Sequence, residues 1–463
     1  MRKEKDSMGE MEVPDDAYYG ASTKRAVMNF PISDLRFARS FIRALCLIKL
    51  YGCAVNEKDG VIDKKKSEAI QKASREAAEG KFDDQFVVDI FQTGSGTSTN
   101  MNANEVIASR AIEILTGARG GENNRSLIHP NDHVNAGMSS NDAIPTAIHI
   151  AALIDIKEKL EPALTLLEAA FEKKSQQFMG VIKTGRTHLQ DATPILLGQE
   201  FLGYKGQIER AKERLQYART RLESLALGGT AVGTGINTKS HFAREVIELI
   251  SKDLKINLKE TTNHFQAQSS IDEIVDASGV LKTIAVSLLK IANDIRFMGC
   301  GPRAGFGEIQ LPAVQPGSSI MPGKVNPVIA ESLAMVCAQV IGNDVTINIA
   351  GQSGNFELNV MLPIACYNLL QSINLLASAS QNFAKQCIEG LEATAKGPQM
   401  VEAGLSLCTA LVPAIGYDAS ARIAHLAYKS GKTIKEVAKE ETSLSQAELN
   451  SLLDPHRMIS QSD

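Results

Sequence analysis

Several protein classes leave marks that this chain does not carry. Its seven cysteines, at 46, 53, 300, 337, 366, 387 and 408, are scattered. None forms a CxxC pair or a Cys/His cluster at zinc spacing, so the pattern predicts free, buried thiols in a reducing compartment. No metal site is expected. Charge is nearly balanced, 49 Lys and Arg against 53 Asp and Glu, for a net −4. Without a basic surplus, nucleic acid is excluded as the expected partner. No uninterrupted apolar run reaches the length of a membrane span, so no membrane is expected. The opening "MRKEKDSMGEMEVP" lacks an apolar signal core, and the expected location is the cytoplasm. No Walker A run occurs and no GxGxxG follows a strand, which disfavours nucleotide phosphate.

What is present is helical. From Leu197 the apolar or small positions are Phe201, Tyr204, Ile208, Ala211, Leu215, Ala218, Leu222 and Leu225, in steps of four and three. From Ile274 the same alternation runs through Ala277, Leu281, Ile284, Leu288, Ile291, Ile295 and Met298. Such seams belong to long helices packed at shallow angles, each roughly 40 Å long at 1.5 Å per residue. Segments 151–179, 328–349 and 357–386 complete an expected five-helix central bundle. The predicted division is a mixed, mostly helical domain over 1–135, the bundle over 136–393, and a small helical domain over 394–463. "VPDDAYYG" and "GARGGENN" read as turns, "TAKGPQ" (394–399) as a linker, and "PAIGYD" (413–418) as a break in the tail. Long helices of this kind pack against copies of themselves, so a homo-oligomer is expected.

Four polar islands interrupt this pattern. "QPGSSIMPGKVNP" (315–327) cannot be helical, because its prolines remove donors and restrict their predecessors. "TGSGTSTNMNANE" (93–105) offers glycines, hydroxyls and a helix start that suit an anion, or simply a cap. Its alternating Asn100, Asn102 and Asn104 need partners, because asparagine is a poor helix former. "HPNDHVNAGMSSNDAIPTA" (129–147) holds two Asn-Asp pairs and a Ser-Ser-Asn run, readable as turns and an N-cap. "KTGRTHLQDATP" (183–194) carries Arg186, Thr187, His188, Gln190 and Asp191 between long helices. Hydroxyls, amides and one prominent cation, Lys324, suit a small, multiply oxygenated anion such as a carboxylate.

"GSSIMPGKVNP" (317–327) resembles the signature of the fumarase/aspartase superfamily, and "GTSTNMNANEV", "HPNDHVNAGMSSND", "GRTHLQDATP", "LALGGTAVGTGINT" and "SGNFELNV" follow the same family's order. The resemblance covers nearly the whole chain. It implies a mainly α, three-domain fold around a long five-helix bundle, with packed bundles forming the core of a homotetramer. It implies a lyase that needs no cofactor, acts on a small dicarboxylate, and gathers each active site from several subunits. Ser139-Ser140-Asn141, "SGNFELN" and Thr193 resemble the fumarate hydratases of class II, which interconvert fumarate and (S)-malate. Ser98, "DHVNAG" and "HFQAQSSIDEIV" depart from that group, and aspartate ammonia-lyase is the alternative.

Carried over by resemblance, Ser318 is the base, His188 the acid and Glu331 the partner that orients His188. Ser95, Gly96, Thr97, Ser139, Ser140, Asn141, Thr187, Ser319, Lys324 and Asn326 would bind substrate. His129, Pro130, Asn131 and Asp132 would form a second anion site. Arg125 lies four residues before His129, where class II fumarases usually place a basic residue three before.

Overall fold

The computed structural model of the chain describes residues 1–119 and 126–459. Among them are 17 α-helices and five two-stranded sheets. Helix dominates because the apolar residues recur at helical spacing and few prolines interrupt the long segments. Every position in the two seams, from Leu197 to Leu225 and from Ile274 to Met298, is buried. The helices that carry them span Leu197–Leu222 and Asp272–Met298, and Leu225 lies past the first, in a short strand with Ser224.

Three further segments give the Glu161–Gln177, Val328–Gly351 and Leu362–Phe383 helices. The first continues the Ser140–Asp155 helix through a π-helical turn at Ile156–Leu160. The last starts five residues later than the pattern suggests. Asn359 causes the delay: its amide donates to Ala350 O at 2.8 Å and its carbonyl accepts from Met361 N at 2.8 Å. One side chain thus closes one helix and opens the next.

The chain divides into two compact units. Unit one comprises Met1–Pro162, Lys212–Ala285 and Cys337–Ser378. Here Asp344 accepts from Ser278 Oγ at 2.8 Å and Lys282 Nζ at 2.6 Å. Asn343 donates to Ser372 Oγ at 3.0 Å. Unit two comprises Ala163–Ala211, Val286–Val336 and Ala379–Asp463. Its core includes an aromatic cluster of Phe171, Phe201, Tyr204 and Phe383. The Tyr204 hydroxyl donates to Asp294 at 3.2 Å.

One expectation, the linker, needs correction, and two other segments bear comparison with their readings. Val328–Gly351 is long and apolar enough, by composition, to cross a membrane. Gln339, Asn343 and Asp344 interrupt its apolar run, and the last two are engaged as above. "TAKGPQ" is not a linker: the Lys396–Ala403 helix starts inside it, with Pro398 in the first turn, where a missing N–H costs nothing. "GARGGENN" lies partly outside the described residues; the Thr97–Thr116 helix ends beside it at Gly117, in the left-handed region. The break at "PAIGYD" is present, at Gly416 between two helices. Of the cysteines, five are buried, and Cys300 and Cys408 are partly exposed. Burial pushes the Cys46 thiol up to about 12, which disfavours the reactive thiolate.

Leu281 sits in the second seam and is almost wholly buried. Leu281→Ala should lower unfolding free energy by about 2–5 kcal/mol. Urea denaturation checks this; a loss near zero would mean that the seam is not tightly packed.

Candidate active site

The island at 315–327 forms an irregular loop around a cavity of about 420 Å³, lined by Gln315, Gly317, Ser318, Met321 and Lys324 among others. Gly317 is required where the two arms of the loop meet, because a Cβ there would lie 2.1 Å from Lys324 O. Ser318 Oγ accepts two backbone hydrogen bonds, from Ile320 N at 3.2 Å and Met321 N at 2.9 Å. Both lone-pair directions are thereby engaged and the hydroxyl proton stays free to leave. Two N–H dipoles aimed at one oxygen also favour negative charge on it. The Lys324 ammonium donates to Asn326 Oδ1, and Asn326 Nδ2 donates to Gly317 O. Ser319 is exposed beside them.

The island at 183–194 is not a plain loop. It forms an antiparallel hairpin, Ile182–Thr187 with Gln190–Leu196. His188 and Leu189 make its two-residue tip, both left-handed, with φ of 55° and 59°. Such tips match the twist of the strands, but they strain residues other than glycine by about 1 kcal/mol each. His188 is therefore held out at an exposed point by backbone geometry. Below the tip, Arg186 Nη1 donates to the buried Glu308 carboxylate at 2.8 Å, and its guanidinium lies 4.3 Å from the Phe306 ring centre. Lys183 Nζ lies 3.6 Å from the other Glu308 oxygen and 3.4 Å from Glu200. Buried ions of opposite sign, in contact, fix the root of the hairpin.

In unit one, Gly96 adopts a left-handed conformation at the start of the Thr97–Thr116 helix. Ser95 and Thr97 hydroxyls share a 2.7 Å hydrogen bond. Ser139 caps the Ser140–Asp155 helix in a reciprocal box with Asp142. The second Asp142 oxygen accepts from Gly228 N and Thr230 N, both at 3.0 Å. Burial pushes this carboxyl up, while the backbone N–H groups and Lys49 pull it back down. Asn141 Nδ2 donates to Ala231 O at 2.8 Å. The two helix starts are joined, because Asn100 Nδ2 donates to Ser140 Oγ at 3.0 Å. Asn102 also has partners, Gln85 O and Val87 N, whereas among the described residues Asn104 reaches only Met101 Sδ. Ser98 is buried and shares a 2.8 Å hydrogen bond with Thr93, so its side chain props the loop.

His129, Pro130, Asn131 and Asp132 open a π-helical turn in unit one. His129 Nδ1 accepts from Asn131 N at 3.3 Å and Asp132 N at 3.2 Å. That makes Nδ1 an acceptor, so its 3.3 Å approach to the Asp132 carboxylate is not an ion pair in this tautomer. Burial and Lys66 push the neighbouring His133 down. Arg125 lies outside the described residues.

Predicted residues thus fall in both units. Ser318, Ser319, Lys324, Asn326, Glu331, Thr187 and His188 are in unit two. Ser95, Gly96, Thr97, Ser139, Ser140, Asn141 and the 129–132 turn are in unit one. Among the described residues no hydrogen bond joins His188 to Glu331, and no group of three or more His, Cys, Asp and Glu is placed to hold a metal ion. Sequence reasoning missed Glu308, Lys183, Asp142 and Lys49. A charged residue inside an apolar run, such as Lys49 in "LCLIKLYG", was the available signal.

Comparison with known proteins agrees with this geometry. The lyase family matches residues 9–342, and the fumarase C C-terminus matches residues 407–460. The class II fumarate hydratase of Rickettsia bellii is 49% identical over 462 residues, covering 100% of this chain and 99% of that protein. The mitochondrial fumarate hydratase of Dictyostelium discoideum is 49% identical, covering 99% and 94%. The crystal structure of the class II fumarase of Schistosoma mansoni superposes with a TM-score of 0.94 at 39% identity, covering 99% and 98%. A helical fold with its polar loops at helix ends and this family match define a lyase. Within the lyases, the chain belongs to the class II fumarate hydratase family. The ammonia-lyase alternative is not favoured.

Two predictions follow from the buried charges. Glu308→Gln would leave Arg186 and Lys183 without their shared carboxylate and should cost about 3 kcal/mol, read by chemical denaturation. An unchanged midpoint would show that the hairpin root does not depend on Glu308. Burial pushes Lys49 from 10.5 down to about 7. Between those values the unfolded chain keeps a proton that the folded chain has released, so this group makes stability rise with pH. The wild type should therefore gain more stability from pH 7.5 to 8.5 than Lys49→Met does; equal gains would contradict it.

Proposed function

We propose that this fumarate hydratase adds water to fumarate, giving (S)-malate, with Ser318 and His188 on opposite sides of the proton traffic. In the dehydration direction Ser318 takes the C3 proton of malate. The electron pair moves into the adjacent carboxylate, giving an aci-carboxylate dianion. It then returns to form the C2–C3 double bond as hydroxide leaves C2 with a proton from His188. Hydration is the reverse. A serine must be activated to act as a base. The single observation that supports this role is the pair of backbone N–H groups on Ser318 Oγ.

Lys324 and Asn326, with Thr187, would stabilise the charge on the developing dianion. Ser95, Gly96, Thr97, Ser139, Ser140 and Asn141 would hold the substrate carboxylates, and Ser319 would contact substrate at the loop. Glu331 would orient His188 across a subunit boundary. The 129–132 turn would take a second anion. We further propose a cytoplasmic homotetramer with shared active sites. The exposure of Met335, Val345 and Ile349 on an otherwise apolar helix supports self-association. A small core around Val401, Leu411, Ile423 and Leu449, joined by Ile182 of the hairpin, supports reading 394–463 as a small domain.

The test follows fumarate absorbance from malate and, separately, from aspartate, with and without chelator. Fumarate should appear from malate alone and be insensitive to chelator. Ser318→Ala should lower kcat at least about 100-fold. Glu331→Gln should move the acid limb of the pH profile. Activity on aspartate, or an active Ser318→Ala, would refute the reading.

A further inference from the structure

The Ser140 hydroxyl is the end of a buried hydrogen-bond chain that starts at Lys49. Lys49 lies in the middle of the Arg39–Lys58 helix and is fully buried. Its Nζ donates to Asn135 Oδ1 at 2.7 Å, its one hydrogen bond among the described residues. Asn135 Nδ2 donates to Met138 O at 3.0 Å. The Asn135 amide is therefore oriented from both ends: a donor faces its oxygen and a carbonyl faces its nitrogen. That leaves Asn135 Oδ1 as an acceptor for the next residue. Asn100 Nδ2 lies 3.2 Å from it and 3.0 Å from Ser140 Oγ. Flipping Asn100 would set two oxygens against each other. Its own Oδ1 is buried with no partner, so the orientation is imposed by neighbours rather than chosen by that oxygen.

The consequence falls on Ser140. An amide N–H occupies its oxygen, so the hydroxyl proton must be given elsewhere. None of the described residues accepts it. We infer that Lys49, Asn135 and Asn100 are positioning residues that set the direction of the Ser140 hydroxyl, presenting its proton to a substrate carboxylate. This rests on the reading of Ser140 as a substrate-binding residue. It adds three residues that need touch no substrate and extends the recognition of a carboxylate into the helical core.

Asn100→Asp tests the direction of the chain. A carboxylate at 100 accepts where the amide donated, so the Ser140 proton would turn inward. The expected result is a KM for fumarate raised about tenfold, the scale of one hydrogen bond to a charged group, with kcat changed much less. Added negative charge near a dianion site would also raise KM. A double-mutant cycle with Ser140→Ala separates the two causes. If Asn100→Asp acts through the hydroxyl, the double variant has the KM of Ser140→Ala alone. Additive effects would overturn the inference. If Ser140→Ala leaves KM unchanged, Ser140 does not bind substrate, and both that reading and the inference fall. Should Asn100→Asp not fold, as judged by circular dichroism, Lys49→Met takes its place in the same cycle. It should raise KM in wild type and not in Ser140→Ala; an equal rise in both would again overturn the inference.

Discussion

Burying a charge is costly unless it is met by opposite charge or aligned dipoles, and this fold uses that constraint to place its loops. Asp142 and Glu308 are both buried carboxylates. Asp142 gathers Ser139 N, Gly228 N and Thr230 N around one side chain. Glu308 gathers Arg186 and Lys183. Each carboxylate can satisfy its lone pairs only if distant stretches of chain arrive in register. The loops are irregular backbone, yet Asp142 ties one to a helix and Glu308 ties another to a hairpin.

The two carboxylates work by different means. Asp142 is ringed by neutral backbone donors in addition to the more distant Lys49, so its anchoring is directional and local. Glu308 meets full cations, one planar and stacked on Phe306, the other compact. The first arrangement leaves the carboxylate's charge in place and orders the backbone around it. The second compensates charge with charge at the root of a strained hairpin.

The helical seams were legible because burial selects apolar residues at intervals of three and four, and Phe201, Ile208 or Leu288 can be read directly from that spacing. The polar islands were legible by composition, and Ser318 with its loop by resemblance. Glu308 was not, because it looks ordinary beside its chain neighbours, and Lys49 stood out in its apolar run without showing what it binds. Their partners lie far away: Arg186 is 122 residues from Glu308, and Asn135 is 86 residues from Lys49. The hairpin under His188 was hidden for a related reason, since its strands lack a clean alternation of apolar and polar residues. Glu357 was mistaken for a helix start because Asn359 serves two helices at once, which no one-dimensional pattern displays.

The contact between Gly317 and Lys324 has a mechanical meaning. The two arms of the serine loop meet backbone to backbone, with no side chain between them, and Asn326 fastens the closure at Gly317 O. The loop therefore resembles a buckle more than a flap. Its neck is set, and the short span from Ser319 to Gly323 turns above it, with Gly323 at a φ of 81°. The N–H groups of Ile320 and Met321 in that span both point at Ser318 Oγ, just inside the neck, so the turn is built around that oxygen.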